Sequence, residues 1–265
     1  RLKDLARAAA KVGFVVTDVP YRTRPGPRIL IYHQVGSELG RQMEVTIPAF
    51  EFQLEWLMNN GTVVTLEEAL ARRGEVGSER LFVLTFDDGY EDLHSIAFPR
   101  LQRLALPFTV YVTTGPVESG TPSFPGGAAD PVTWPQLAEM AEYGATIGAH
   151  THTHPDLRSL TAGEIETDLA RSDELLAERL GIEPEHFCYP YGFWSAAADS
   201  VVRARYRSAT LGAGSPVTTS TDPFLIHRVP IQLSDSPLFF ARKMKSGLVL
   251  EERVRRMLNG YRGPV

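Results

Sequence analysis

The sequence predicts an α/β fold organised as one domain, and three observations carry the prediction. Beyond a Pro/Arg-rich link at residues 19–28 (VPYRTRPGPR), short β-branched runs alternate with amphipathic stretches. The 265 residues, 43% of them hydrophobic, suffice for one full core. The section Glu118 to Pro131 (ESGTPSFPGGAADP) is rich in Gly, Pro and Ser, yet periodic structure resumes on both sides, so it reads as a long loop rather than a domain linker.

Taken in order, the chain opens on a basic, mildly amphipathic helical segment (RLKDLARAAAKVGFVV) that, with its link, accounts for residues 1–27. The central domain is expected over 28–235. Its strands are predicted at Arg28 to His33, Thr62 to Thr65, Leu81 to Phe86, Phe108 to Thr113, Ala145 to Ala149, Phe187 to Tyr189, Tyr206 to Leu211 and Phe224 to Pro230. Helices are predicted at Ile47 to Asn59, Leu66 to Arg72, Ser95 to Leu104, Trp134 to Tyr143 and Thr161 to Leu180. The last repeats Ile165, Leu169, Leu175, Leu176 and Leu180 close to helical spacing, as expected for a helix covering a sheet. From Ser236 to residue 265 a terminal helical extension is expected, its apolar stripe packed on the body.

Composition excludes several functions. A formal net charge of -5, with both signs scattered, offers no nucleic-acid-binding surface. No apolar run approaches a membrane span, and the opening stretch lacks a signal-peptide h-region. The lone cysteine, Cys188, cannot form an intramolecular disulfide, and on a strand it reads as a small core residue rather than a nucleophile.

Unusual polar residues close three of the predicted strands: His33 after ILIY, Asp87 and Asp88 in TFDDGY, and His150 after ATIGA. In parallel α/β barrels reactive groups gather at these C-terminal strand ends. Three of the seven histidines lie within GAHTHTHPDL, and His150 and His154 stand at i and i+4, a spacing that sets two imidazoles on one face of a helical turn. Two imidazoles and one carboxylate, from Asp87 or Asp88, would complete a zinc site with a position open to water. Each motif alone has a plainer reading, an exposed His-rich turn or an Asp-Asp-Gly turn. Together they favour a metal, which would neutralise one carboxylate and leave its neighbour as a base. The Pro and Gly of FCYPYG form a turn able to aim backbone N–H groups at an oxyanion.

TFDDGY, HTHTHPDL and FCYPYG, in this order and at helix-sized intervals, resemble the polysaccharide deacetylase (NodB-homology) family of carbohydrate esterases, from about Arg28 to about Gln232. The resemblance implies a distorted (β/α) barrel and a metal-dependent hydrolase of acetyl groups on glycans. By position, Asp87 looks like the catalytic base, Asp88, His150 and His154 like the metal ligands, with Zn²⁺ the expected ion, and the Tyr191 N–H like part of the oxyanion hole. His152 matches no required position. The segment ILIYHQV is similar to the subgroup that deacetylates poly-N-acetylglucosamine, which makes His33 the candidate general acid; His227, in FLIHRVPI, is the rival. Many members carry an Arg where this sequence has Cys188, and Arg228 is the expected substitute, since its guanidinium fork can orient the base carboxylate.

Tyr90, Trp134, Tyr191, Trp194 and the Glu118 to Pro131 loop are expected to shape the choice of an acetylated glycan. The sequence itself leaves the compartment open, and the resemblance implies an extracytoplasmic or cell-envelope-associated setting. The alternatives are an amidohydrolase of small non-sugar amides and a non-catalytic glycan-binding module.

Overall fold

In the computed structural model residues 26–121, 129–212 and 216–246 are described. The predicted N-terminal helical segment, the centre of the Glu118 to Pro131 loop and the end of the C-terminal extension lie outside them.

The strands, in chain order, are β1 (Arg28–Tyr32), β2 (Gln34–Val35), β3 (Glu44–Val45), β4 (Thr62–Val63), β5 (Leu81–Asp88), β6 (Thr109–Val112), β7 (Thr146–Ala149), β8 (His186–Cys188), β9 (Ser208–Leu211), β10 (Ile226–His227) and β11 (Val229–Pro230). The main sheet runs β10-β9-β8-β7-β6-β5-β1-β11, and every pairing in it is parallel. Because β10 and β11 are consecutive pieces of one segment, with Ile226 beside Thr210 and Leu30 beside Val229, that segment nearly closes the sheet into a barrel. The predicted strand Phe224 to Pro230 is thus split: Arg228 marks the point where the chain leaves one neighbour for the other.

Burial on both faces explains the near-continuous apolar runs of β1 and β5. Side chains alternate along β5. Phe82, Leu84 and Phe86 join the large core shared with the helices, whereas Leu81 and Val83 join a smaller cluster with Ile29 and Ile226. Thr85 and Asp87 continue the face of Leu81 and Val83, so the site forms at the upper end of that inner row.

The helices are α1 (Ile47–Asn60), α2 (Leu66–Arg72), α3 (Phe98–Arg103), α4 (Thr114–Ser119), α5 (Trp134–Tyr143), α6 (Ala162–Leu180), α7 (Ala196–Arg205) and α8 (Pro237–Ser246). Threonine caps set several starts: Thr133 and Thr161 form capping boxes with Gln136 and Glu164, which makes Thr161 the cap of α6 rather than its first residue. The helix predicted from Ser95 begins earlier, as a π-helical turn over Leu93–Ala97 that leads into α3. Pro99 explains the widened turn, because it has no N–H to return to residue 95. Helix α8 docks through Phe240, whose ring meets Trp56 edge-on at 5.7 Å, and through Lys243, which donates to Asp235 and to the Pro230 carbonyl. No helix among the described residues is long and apolar enough to cross a membrane.

Candidate active site

The two acids at the end of β5 diverge. Asp88 has φ 74° and Gly89 φ 87°, so the backbone turns left-handed at the strand's last residue and points neighbouring carboxylates in different directions. Asp87 receives a bidentate fork from Arg228, Nη1 to Oδ1 at 2.7 Å and Nη2 to Oδ2 at 2.6 Å. Burial opposes ionisation of Asp87, but the charge and hydrogen bonds of Arg228 hold its carboxyl below the usual range. Arg228 also donates to Thr85 Oγ1, and its Nη2 lies 2.9 Å from Cys188 Sγ. Both members of the pair are buried.

Asp88 faces the histidines. Its Oδ1 stands 3.3 Å from His150 Nε2 and 3.3 Å from His154 Nε2, yet that buried oxygen has no hydrogen-bond partner. Three atoms sharing one cation at about 2.1 Å in tetrahedral directions would stand about 3.4 Å apart, so this donor set fits a metal of the zinc type. His150 Nδ1 lies 2.7 Å from the Cys188 carbonyl; donation there leaves the Nε2 lone pair turned to Asp88. Burial would lower the His150 pKa, but Cys188 and Asp88 push it well above the ordinary imidazole value. The negative field that would keep a proton there is one that attracts a cation. Burial likewise opposes the charge of Asp88, and the two histidines bring its carboxyl well below the usual range.

The helical turn expected for His150 and His154 is absent. The stretch after β7 (Thr146–Ala149) is an irregular loop in which Thr151 (φ 68°) and His154 (φ 54°) are left-handed, and these turns bring the rings to 4.8 Å. Thr151 Oγ1 accepts from the His154 N–H. Asp168 of α6, which carried no motif signal, accepts from the N–H groups of His152 and Thr153 at 2.7 and 3.1 Å and from the Thr153 hydroxyl at 2.6 Å. His152 turns away to Thr114 Oγ1 at 3.0 Å.

A cavity of about 510 Å³ opens over these groups. His33, Asp87, Asp88, His150, His154 and Arg228 line it, with Tyr90 and Tyr191 on its walls. Burial lowers the His33 pKa below the ordinary imidazole value, while Asp88 and Asp87 pull it back up, and its buried Nδ1 has no hydrogen-bond partner. Tyr191 is left-handed (φ 58°), which turns the chain after Pro190 along the cavity wall. His227 lies outside the lining, its Nδ1 3.2 Å from the Gly212 carbonyl. Neither Trp134 nor Trp194 lines the cavity: both pack on the large core, and Trp134 Nε1 donates to Glu118 at 2.8 Å. Residues with no sequence signal complete the walls, among them Gln34, Arg41, Gln42, Phe193 and Gln232.

A family model described as polysaccharide deacetylase matches residues 74–208. The Bacillus subtilis protein YxkH is 27% identical over 234 residues, which is 82% of this chain and 76% of that protein. A poly-beta-1,6-N-acetyl-D-glucosamine N-deacetylase of Staphylococcus aureus is 28% identical over 61% of this chain, and the match spans 58% of its own length. Among solved structures, IcaB from Ammonifex degensii aligns with a TM-score of 0.71 at 27% identity, covering 83% of this chain and 98% of that one. The Streptococcus pyogenes deacetylase PplD in complex with acetate shares the fold, with a TM-score of 0.70 at 23% identity over 84% of this chain and 99% of that chain. A match that takes in just over half of the sequence, including both acids, the histidine loop and the FCYPYG turn, means that this chain belongs to the polysaccharide deacetylase family.

Proposed function

We propose that this chain is a divalent-metal-dependent hydrolase that removes acetyl groups from N-acetylated sugars of a glycan. The observation that carries the reading is the convergence of Asp88, His150 and His154 beside a separately held Asp87. The name of the Staphylococcus aureus relative supports the N-acetyl sugar.

In this reading Asp88, His150 and His154 hold the ion, with Zn²⁺ the expected one. When bound, such a cation supplies polarisation of the acetyl carbonyl and acidification of a water molecule. Asp87 takes the proton of the attacking water, and Arg228 keeps its carboxylate ionised and aimed into the cavity. The backbone N–H of Tyr191 donates to the oxyanion that forms at the acetyl carbon. His33, rather than His227, gives a proton to the departing amine; its place on the cavity lining with Asp87 supports that choice. Water adds across the amide, leaving acetate and a free amine. Tyr90 and Tyr191 offer surfaces to the sugar, whereas the packed positions of Trp134 and Trp194 leave them outside this role.

Acetate release from N-acetylglucosamine oligomers, measured with and without added Zn²⁺ and alongside metal analysis, tests the proposal. Asp87→Asn should keep the metal and lose about 10²–10⁴-fold in kcat. His150→Ala should lose the metal itself. Undiminished turnover by Asp87→Asn would remove that residue from the base role, and failure of the wild-type chain to retain Zn²⁺ through gel filtration would sink metal dependence.

A further inference from the structure

One wall of the cavity comes from a loop to which the proposed chemistry gives no task. Between β2 and β3 the chain passes through residues 36–43 and sets Arg41, Gln42 and Met43 on the lining, next to Gln34. The loop is held from inside. Glu44 is 2% exposed, and its carboxylate accepts the N–H groups of Glu38 at 2.6 Å, Gly40 at 2.9 Å and Arg41 at 3.3 Å. A second anchor comes from the segment after β11: the Leu233 N–H donates to the Gln42 carbonyl at 3.0 Å, and Ser234 Oγ lies 3.1 Å from Gln42 Oε1. Burying a carboxylate is costly unless hydrogen bonds compensate it, and the hydrogen bonds that compensate Glu44 come from this loop's own backbone. The consequence is a fixed path for residues 38–41.

That path delivers a guanidinium to the cavity. Among the described residues the Arg41 side chain makes one hydrogen bond, Nη1 to Gln34 Oε1 at 3.4 Å, and no carboxylate lies within ion-pair distance of it. The other arginine of the lining, Arg228, is committed to Asp87, and Asp88 is committed to the two histidines. The positive charge of Arg41 is therefore unbalanced in the same space where the proposed reaction takes place, on a lining it shares with Tyr90. A guanidinium with most of its donors unspent, carried on a fixed backbone and partly shielded from solvent, is available to an oxyanion.

We propose that Arg41 is a specificity residue that pairs with an oxyanion substituent, a carboxylate or a phosphate ester, on a unit of the glycan beside the one that loses its acetyl group. The natural substrate class is then an acidic acetylated glycan. The inference rests on the deacetylase reading, and it names the substrate class for that site.

Three N-acetylated oligosaccharides of equal length test it, one neutral, one carrying a carboxylate and one a phosphate ester, against the wild-type chain, Arg41→Gln and Arg41→Lys, each confirmed folded by circular dichroism. The wild type should favour one acidic oligomer over the neutral one by roughly 10- to 100-fold in kcat/KM, chiefly through KM. The preference should shrink with added salt. Arg41→Gln should bring the ratio close to one, and Arg41→Lys should restore part of it, since charge returns without the planar fork. Which acidic oligomer carries the preference identifies the substituent. A wild-type ratio near one for both acidic oligomers overturns the proposal, as does an Arg41→Gln variant whose turnover falls while its ratio persists. If no oligomer releases acetate, calorimetry with the same three ligands separates the two readings. Tighter, Arg41-dependent binding of an acidic oligomer keeps the subsite while the deacetylase reading fails; equal binding of all three removes both.

Discussion

Two carboxylates one residue apart are tolerable at the end of β5 because each has its own partner set. Arg228 takes Asp87, and the histidine pair takes Asp88. For Asp87 the folded-state pKa is depressed, so its contribution to stability is present above the ordinary carboxyl range and is lost as pH falls through the folded value. Removing Arg228 leaves a buried charge without its counter-ion, and Arg228→Ala should cost about 3–5 kcal/mol in urea unfolding. Arg228→Lys should keep more of that stability while slowing turnover, because it restores charge without the two parallel hydrogen bonds. Asp92 behaves in the opposite sense. Burial pushes its carboxyl up to about 7, against the hydrogen bonds from the Val35 N–H and Gln34. A raised acid stabilises the fold fully below the ordinary carboxyl range and loses that contribution as pH rises through about 7. Asp92→Asn, neutral at every pH, should therefore gain melting temperature relative to the wild type at pH 8 but not at pH 4. The gain should be on the order of 1–2 kcal/mol after solvent screening. An equal shift at both pH values would show that Asp92 does not titrate in this way.

At the scale of elements, the site is held by loops that other elements brace. Asp168 projects from α6 and ties down His152 and Thr153, two of the three residues between His150 and His154. Asp168→Ala should leave α6 intact, release two backbone N–H groups and weaken Zn²⁺ binding by about 10- to 100-fold, measured by competition with a chelating dye. An unaltered affinity would mean that the loop holds its shape without α6. Helices α2 and α5 were legible in the sequence to the residue, because Thr65 and Thr133 supply caps immediately before an apolar pattern. Helix α7 has no such pattern although Ser195 caps it, since its first turn, Ala-Ala-Ala-Asp, shows little apolar contrast. Strands β2 and β3, two residues each, are too short to have a period at all. The acids and histidines could be read because motif spacing carried them. The conformation that joins them could not, because left-handed backbone at Asp88, Thr151 and His154 is uncommon for any residue but Gly, and at the β-branched Thr151 it runs against residue preference. Arg41 sits in an irregular connection and Gln34 in a two-residue strand, and neither gives one sequence a pattern to count.

For the whole molecule, the decisive feature is the segment Ile226–Pro230, which meets β9 with one end and β1 with the other. Between its two short ladders stands Arg228, so the residue that holds the proposed base reaches Asp87 from the strand that closes the ring. Helix α8 is attached to the same segment, with Lys243 donating to the Pro230 carbonyl. Closure of the barrel and alignment of Asp87 are in this sense a single event. A partly folded chain could hold β5 to β9 in register, with both histidines near Asp88, and still lack an oriented base. Enzymatic competence would then report completion of the fold. In a denaturant titration acetate release should fade before far-UV ellipticity, and inactivation that coincides with global unfolding would show that the closing segment has no separate stability.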